Sequence, residues 1–253
     1  MLAEKIRRKK AEKDILLMTH IVVGYPTFDS SLRVVEQMVE AGVDLMELQI
    51  PFSEPIADGP VILHANQASL VAGSSVEACL RFAEEVARRF EIPFLLMSYY
   101  NIVFKFGVKA FAQRMATAGL AGAIVPDLPP EEAGDYLEAM SANSLSPIFI
   151  FSPNTSTPRM RQISDCAGGF IYCVARKGVT GSETSFSEEF TQYISRCRAS
   201  TDLPLALGFG VKHKDDVDFL RGQVDIAVIG TETIRVMDES GVDAVKDFIE
   251  GLR

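Results

Sequence analysis

Two acidic residues, Glu47 and Asp58, are of a type and spacing that suit acid–base chemistry. Both belong to one stretch, residues 43–60, which begins as a strand-like run and ends in turn formers. Side chains alternate along a strand, so Glu47 points the same way as Leu45, toward an apolar interior. An inward carboxylate near a strand end, with a second acid on the following loop, is a candidate catalytic acid–base pair. A second interpretation stays open, in which Glu47 is salt-bridged and Asp58 is a turn former.

The run that holds Glu47 is one of eight strand-like runs, which alternate with helical patterns along the chain. The runs are Ile15–Val23, Val43–Ile50, Pro93–Tyr99, Ala123–Pro126, Pro147–Phe151, Phe170–Ala175, Pro204–Leu207 and Asp225–Ile229. Alternation of this kind predicts parallel β–α units, and eight such units in 253 residues predict an α/β fold, the (β/α)₈ TIM barrel. A doubly wound open sheet is the main alternative. No linker interrupts the pattern, so we expect a single barrel domain over residues 1–253.

Helical patterns follow most of the runs, and an extra helix is expected before the first run, at 2–13. We expect Asp29 or Ser30 to cap the helix that ends near Ala41. The remaining helices are expected at Val61–Ala72, Val76–Phe90, Val108–Ala118, Pro130–Ala142, Pro158–Cys166, Glu188–Ala199, Lys214–Arg221 and Asp243–Leu252.

Composition and charge exclude several classes of function. The formal net charge of −9 argues against a nucleic-acid surface. The basic segment Lys5–Lys13 favours a solvated amphipathic helix over a site for RNA or membrane. Three scattered histidines and four cysteines without C-x-x-C spacing indicate no metal site and reduced thiols. No apolar run resembles a signal peptide or a membrane span, so we expect a cytoplasmic protein.

A barrel predicts where the chemistry takes place, because active sites in this fold lie at the carboxyl ends of the strands. Glu47 and Asp58 fall there, as do Asp127 and Arg176. Glycines also follow the sixth, seventh and eighth runs, at Gly181, Gly208, Gly210 and Gly230. Bare backbone N–H groups at such positions can approach phosphate oxygens closely, so the set predicts a phosphate site.

Five motifs together resemble the signature of the tryptophan synthase alpha chain family. They are Pro-Phe-Ser-Glu-Pro-Ile-Ala-Asp-Gly-Pro (51–60), Pro-Asp-Leu-Pro (126–129), Arg-Lys-Gly-Val-Thr-Gly (176–181), Gly-Phe-Gly-Val (208–211) and Gly-Thr (230–231). The resemblance implies a (β/α)₈ barrel with an extra N-terminal helix. It also implies cleavage of indole-3-glycerol phosphate to indole and glyceraldehyde 3-phosphate, without a cofactor. The implied partner is a pyridoxal-phosphate beta chain, in an alpha2-beta2 assembly that passes indole through a tunnel.

The resemblance also assigns roles to residues of this chain. Glu47 is similar to the family's general acid–base, and Asp58 to the residue that stabilises positive charge on the indole nitrogen. Tyr172 is similar to the tyrosine that hydrogen-bonds the catalytic glutamate. Loop 176–187 resembles a closing lid, with Thr180 against Asp58. The implied phosphate site consists of Gly181, Gly210, Gly230 and Thr231.

Four positions depart from the family pattern. Gln49 replaces a glycine and is expected to fill substrate space or to hydrogen-bond Glu47, either of which weakens the lyase reaction. His20 replaces an apolar residue that packs against the indole ring, although a satisfied core histidine is also possible. Thr231 replaces a serine of the phosphate site, and Glu54 replaces an aspartate in a loop facing the beta chain.

Three hypotheses of function therefore stand. The first is a lyase of this family, and the second is a weakened alpha chain that mainly activates its beta partner. The third is another phosphate-binding barrel enzyme, such as a sugar-phosphate isomerase or aldolase. A Schiff-base mechanism is disfavoured because the strand interiors supply no lysine and Lys177 lies on a loop.

Overall fold

A computed structural model of the chain describes residues 1–175, 188–208 and 210–253. Within them, eight strands close into a barrel in which each neighbouring pair is parallel. The strands are β1 (Leu16–Val22), β2 (Leu45–Gln49), β3 (Phe94–Met97), β4 (Gly122–Ile124), β5 (Ser146–Phe151), β6 (Ile171–Val174), β7 (Leu205–Gly208) and β8 (Ile226–Ile229). The predicted (β/α)₈ barrel is confirmed, and the doubly wound sheet is excluded because β1 pairs with β8.

Helices surround the barrel. Those described are α1 (Leu2–Lys10), α2 (Phe28–Glu40), α3 (Pro60–Val71), α4 (Val76–Arg89), α5 (Tyr100–Phe106), α6 (Val108–Thr117), α7 (Gly134–Ala142), α8 (Thr157–Cys166), α9 (Glu188–Arg198), α10 (Lys214–Leu220), α11 (Thr231–Ser240) and α12 (Ala244–Glu250). A single 3₁₀ turn, Pro130–Glu132, precedes α7. Among the described residues, no helix is both long and apolar enough to cross a membrane.

Alternation along each strand divides the core in two. Inward side chains such as Leu16, Met18 and Leu45 form an interior cluster, which Leu2 and Ile6 of α1 join. Outward side chains pack beneath the surrounding helices in a separate, larger cluster. The extra N-terminal helix is thereby confirmed, and its apolar face covers the amino-terminal end of the barrel, opposite the ends that carry polar side chains.

The buried carboxylate of Asp44 holds this closed end together. It accepts a 3.0 Å hydrogen bond from the Leu17 backbone N–H and forms ion pairs with Lys9, Lys13 and Arg253. A buried charge is costly without partners, so three cations on one carboxylate stabilise the position of α1 and of the C-terminus. Two of the basic residues of segment 5–13 are thus structural.

The structure corrects several local predictions. Helices α5 and α11 were not predicted: α5 is rich in aromatic and β-branched residues, and α11 begins immediately after Gly230. The helix predicted at 130–142 is interrupted at Ala133. The cap of α2 is Thr27, whose hydroxyl accepts a 3.1 Å bond from the Ser30 N–H, and not Asp29 or Ser30.

Candidate active site

The pairing of β1 with β2 brings His20 beside Glu47. The two residues are partners in the register of these parallel strands, and both point into the barrel, where they are 4% and 5% exposed. His20 Nδ1 lies 2.9 Å from Glu47 Oε1. The other polar atom of each side chain, His20 Nε2 and Glu47 Oε2, is buried without a hydrogen-bond partner among the described residues. Two free polar atoms therefore lie in the same part of the barrel interior.

The second acid, Asp58, is held by Gln49. The amide nitrogen of Gln49 lies 2.7 Å from Asp58 Oδ2 and 3.3 Å from Asn66 Oδ1. Asn66 in turn accepts a 2.8 Å bond from the Phe52 backbone N–H, which ties the loop after β2 to helix α3. The prediction that Gln49 hydrogen-bonds Glu47 is wrong: its amide donates toward the loop, and the partner of Glu47 is His20. The side chain is fully buried and serves as part of the wall.

Tyr99 supports Asp58 from the end of β3. Its hydroxyl donates toward Asp58 Oδ2 at 3.3 Å and accepts a 3.0 Å bond from the Ala57 backbone N–H. Its ring stacks on Phe52, with centroids 5.0 Å apart. The carboxylate of Asp58 thus receives two hydrogen bonds on one oxygen, and the loop that carries it is fixed to the barrel wall.

The pKa values of His20 and Asp58 are both raised, but for different reasons. Burial opposes protonation of His20. The charge and hydrogen bond of Glu47, the charge of Asp58 and the side chain of Gln49 together outweigh burial, so the pKa of His20 is raised above its ordinary value. Burial also raises the pKa of Asp58, while the hydrogen bond from Gln49 and the positive charge of His20 act to lower it. An imidazole with a raised pKa and two carboxyl groups therefore interact within one small volume.

Tyr172 occupies the β6 side of the same interior. Its pKa is well above the ordinary value because the hydroxyl is buried and faces the charges of Glu47 and Asp58. The ring lies so close to Gly208 that a Cβ atom there would come within 2.9 Å of its hydroxyl oxygen, which explains the glycine. Among the described residues Tyr172 donates no hydrogen bond to Glu47; the nearest basic group to that carboxylate is the imidazole.

The described residues include two parts of the predicted phosphate site, one after β7 and one after β8. Thr231 is the first residue of α11, so the unpaired N–H groups of a helix N-terminus follow Gly230 directly. Gly230 also lies against His20, because a Cβ atom at this glycine would be 3.6 Å from His20 Cβ. Gly210 has a φ of 77° and open space around its α-carbon. These positions lie at the carboxyl ends of β7 and β8, where an anion can approach the backbone.

The remaining predicted site residues fall elsewhere. Asp127 is exposed, and its carboxylate accepts a 2.8 Å bond from the backbone N–H of Tyr100 at the start of α5. Arg176, Thr180, Gly181 and the predicted lid at 176–187 lie outside the described residues. No cluster of three or more His, Cys, Asp or Glu side chains suited to a metal ion occurs in the described ranges.

Sequence reasoning missed Asn66 and Tyr99. A signal existed for Asn66, because it is a polar residue on the buried face of a helix of low amphipathicity. Tyr99 was assigned to a strand, and its contact with Asp58 joins residues 41 positions apart, which no local pattern reveals.

The fold and this site define a (β/α)₈ barrel enzyme with acid–base groups at the carboxyl ends of its strands. The model of the family described as tryptophan synthase alpha chain matches residues 6–250, and the chain belongs to this family. It is 63% identical over the full length of both chains to a tryptophan synthase alpha chain from Syntrophotalea carbinolica, and 60% identical, again over both full lengths, to one from Desulforapulum autotrophicum. A solved tryptophan synthase structure from Mycobacterium tuberculosis superposes with a TM-score of 0.91 at 29% identity, covering 99% of this chain and 96% of that chain.

Proposed function

We propose that Glu47 and Asp58 carry out the retro-aldol cleavage of indole-3-glycerol phosphate to indole and glyceraldehyde 3-phosphate. The observation that carries this assignment is the arrangement of the two carboxylates. One is buried in the barrel with a free oxygen, and the other is fixed on the next loop by Gln49 and Tyr99. The family's lyase reaction needs one group that moves protons and another that faces positive charge.

The first step adds a proton to C3 of the indole ring. This carbon becomes tetrahedral, and positive charge develops on the ring nitrogen. A carboxylate at Asp58 stabilises that charge, which is greater in the transition state than in the neutral substrate. The donor hydrogen bond from Gln49 helps here, because it favours the ionised form of Asp58 against the effect of burial.

The second step removes the proton of the C3′ hydroxyl. The electron pair of that oxygen forms the aldehyde, the bond between C3 and C3′ breaks, and its electrons return to the ring. Glu47 Oε2 has no other hydrogen-bond partner among the described residues and is the base that we assign to this step.

The phosphate of the substrate is assigned to the backbone around Gly210, Gly230 and Thr231, with Gly181 as a further predicted contact. Support comes from the N-terminus of α11, whose N–H groups and dipole favour an anion. The acidic side chain in the first turn, Glu232, forms a 3.2 Å ion pair with Arg235, which offsets its repulsion of the phosphate.

The partner is a tryptophan synthase beta chain, as for the family. Ile56, on the loop after β2, is 82% exposed, and Phe104 of α5 is 69% exposed; both lie at the end of the barrel where the site opens. Exposed apolar side chains of this size favour a protein interface at that end. We also infer a cytoplasmic location, in keeping with a biosynthetic family and with four free cysteine thiols.

The weakened-activator hypothesis depended on Gln49 filling substrate space or hydrogen-bonding Glu47. Gln49 contacts Asp58 and Asn66 instead, and its effect on Asp58 supports the chemistry. The described contacts therefore give no reason to prefer the activator over the lyase.

The test is an assay of indole release from indole-3-glycerol phosphate, with and without a cognate beta chain. We expect cleavage that the beta chain accelerates. A chain that binds and stimulates the beta chain but releases no indole under either condition would revive the activator hypothesis.

A further inference from the structure

We propose that His20 is a second catalytic residue of the lyase reaction, the acid that protonates indole C3, while Glu47 acts as the base. This inference rests on the proposed function and divides between two side chains the roles that the family resemblance places on Glu47 alone. It is drawn from the geometry of the pair.

The hydrogen bond between His20 Nδ1 and Glu47 Oε1 fixes both groups. At 2.9 Å and within a buried site, this contact is short enough to be a charge-assisted bond between an imidazolium and a carboxylate. Nε2 is on the other side of the imidazole ring, so it stays available when Nδ1 is engaged. The free atoms of the pair are then an acid, Nε2–H, and a base, Oε2.

The charges that surround His20 are consistent with this ionic form. On β2 it faces Glu47, on the following loop Asp58, and near both of these carboxylates lies the hydroxyl of Tyr172 on β6. From α11, the hydroxyl of the uncharged Thr233 contacts the His20 carbonyl oxygen. Within the described residues, negative charge therefore dominates around the imidazole and stabilises its protonated form.

His20 and Glu47 together account for both proton transfers of the reaction. The Nε2–H bond breaks as the C3–H bond forms, which leaves a neutral imidazole and a cationic indolenine that Asp58 stabilises. Glu47 Oε2 then takes the proton of the C3′ hydroxyl, the C3–C3′ bond breaks, and its electrons neutralise the indolenine to give indole. Transfer of one proton from Glu47 to His20 restores the starting pair.

A pair offers what a single carboxyl group lacks. One glutamate has to be protonated for the first step and ionised for the second, whereas the imidazolium–carboxylate pair presents a donor and an acceptor at the same time. Because either group can hold the shared proton, the apparent pKa values of the reaction belong to the pair.

The decisive variants are His20→Asn and His20→Phe. The asparagine amide can still donate a hydrogen bond to Glu47 but cannot donate a proton, and phenylalanine removes both functions. We expect each to lower kcat/KM at neutral pH by roughly 10²-fold. The activity that remains uses Glu47 as both acid and base. We expect its rate to begin to fall at a lower pH than the rate of the unchanged protein does. His64→Asn, at an exposed histidine on α3, is the matched control.

A structural role alone would give another result. If His20→Asn keeps the rate and the pH profile of the unchanged protein, the proposal is overturned, and His20 only positions Glu47. Thermal melts of the three variants distinguish loss of chemistry from loss of folding.

A second measurement tests the pair without any turnover. The chain holds three histidines, so imidazole proton resonances can be assigned by substitution and titrated by NMR. We expect a raised pKa for His20 that falls in Glu47→Gln, since the charge and the hydrogen bond of Glu47 then no longer oppose burial. An ordinary His20 pKa that the substitution leaves unmoved overturns the proposal. Absence of indole release by the unchanged protein, with the titration as expected, would instead contradict the proposed function.

Discussion

The side-chain amide of Gln49 donates a 2.7 Å hydrogen bond to the carboxylate of Asp58. A residue that departs from the family pattern is therefore bonded to a proposed catalytic group, and the bond favours the ionised form on which the role of Asp58 depends. The same amide nitrogen lies 3.3 Å from Asn66, which links the site to helix α3.

Substitution of Gln49 is expected to lower lyase activity, and not to raise it as the family pattern alone suggests. Gln49→Gly removes the donor, so the pKa of Asp58 rises further and less carboxylate is present to stabilise the indolenine cation. Gln49→Met keeps the volume without the donor and should lose a similar share of kcat. Indole release measured across pH distinguishes the cases. Faster turnover in the glycine variant would restore the steric interpretation.

Glu47→Gln is expected to abolish cleavage while the fold stays intact. Acid–base groups typically contribute a factor of ~10² to 10⁴ in rate, and amides cannot titrate in this range. Circular dichroism and a thermal melt check the fold, and single-turnover indole release checks the chemistry. Cleavage at an unchanged rate would remove Glu47 from the mechanism.

Asp58→Asn is expected to lower kcat strongly and KM little, because the charge of Asp58 acts on a cation that exists only during the reaction. Steady-state kinetics with indole-3-glycerol phosphate measures both constants. A variant with high KM and undiminished kcat would make Asp58 a simple binding residue.

The same substitution should stabilise the fold at neutral pH. The pKa of Asp58 is raised on folding, so its contribution to stability is present below the unfolded pKa and is lost as the pH rises through the folded pKa. Asparagine does not ionise, so the extra folding stability of the Asp58→Asn variant over the unchanged protein should shrink as the pH falls. Melting temperatures from acid to neutral pH test this, with Asp29→Asn at an exposed position as the control. A gain that is equal at all pH values would contradict it.

Ile56→Asp is expected to weaken stimulation of a beta chain without affecting the fold, because it places a charge on an exposed apolar side chain beside the site. The matched control is Val71→Asp. Val71, the last residue of α3, is 90% exposed. Titration of each variant against a beta chain, with tryptophan synthesis as the readout, compares them. Equal effects of the two substitutions would place the interface elsewhere.

Local patterns were sufficient to predict the framework of the site. The period of two along residues 43–50 placed Glu47 on the inward face, and the eight alternating units predicted the barrel and the end at which the polar residues lie. These features depend on side-chain alternation and on the spacing of apolar runs, which are properties of neighbouring residues. Helices α5 and α11 were missed because one resembles a strand in composition and the other starts without a capping side chain.

The partners within the site were decided by the tertiary structure. Which side chain meets Glu47 depends on the register of β1 against β2, residues 27 positions apart, and this register placed His20 there. The direction of the Gln49 amide depends on the path of the loop after β2, which Asn66 of α3 and Tyr99, just after β3, hold in place. The sequence by itself determined the barrel and its two carboxylates, because both follow from local periodicity. Only the closed barrel decided how they are paired and charged, because hydrogen bonds and desolvation depend on atoms brought together from distant parts of the chain.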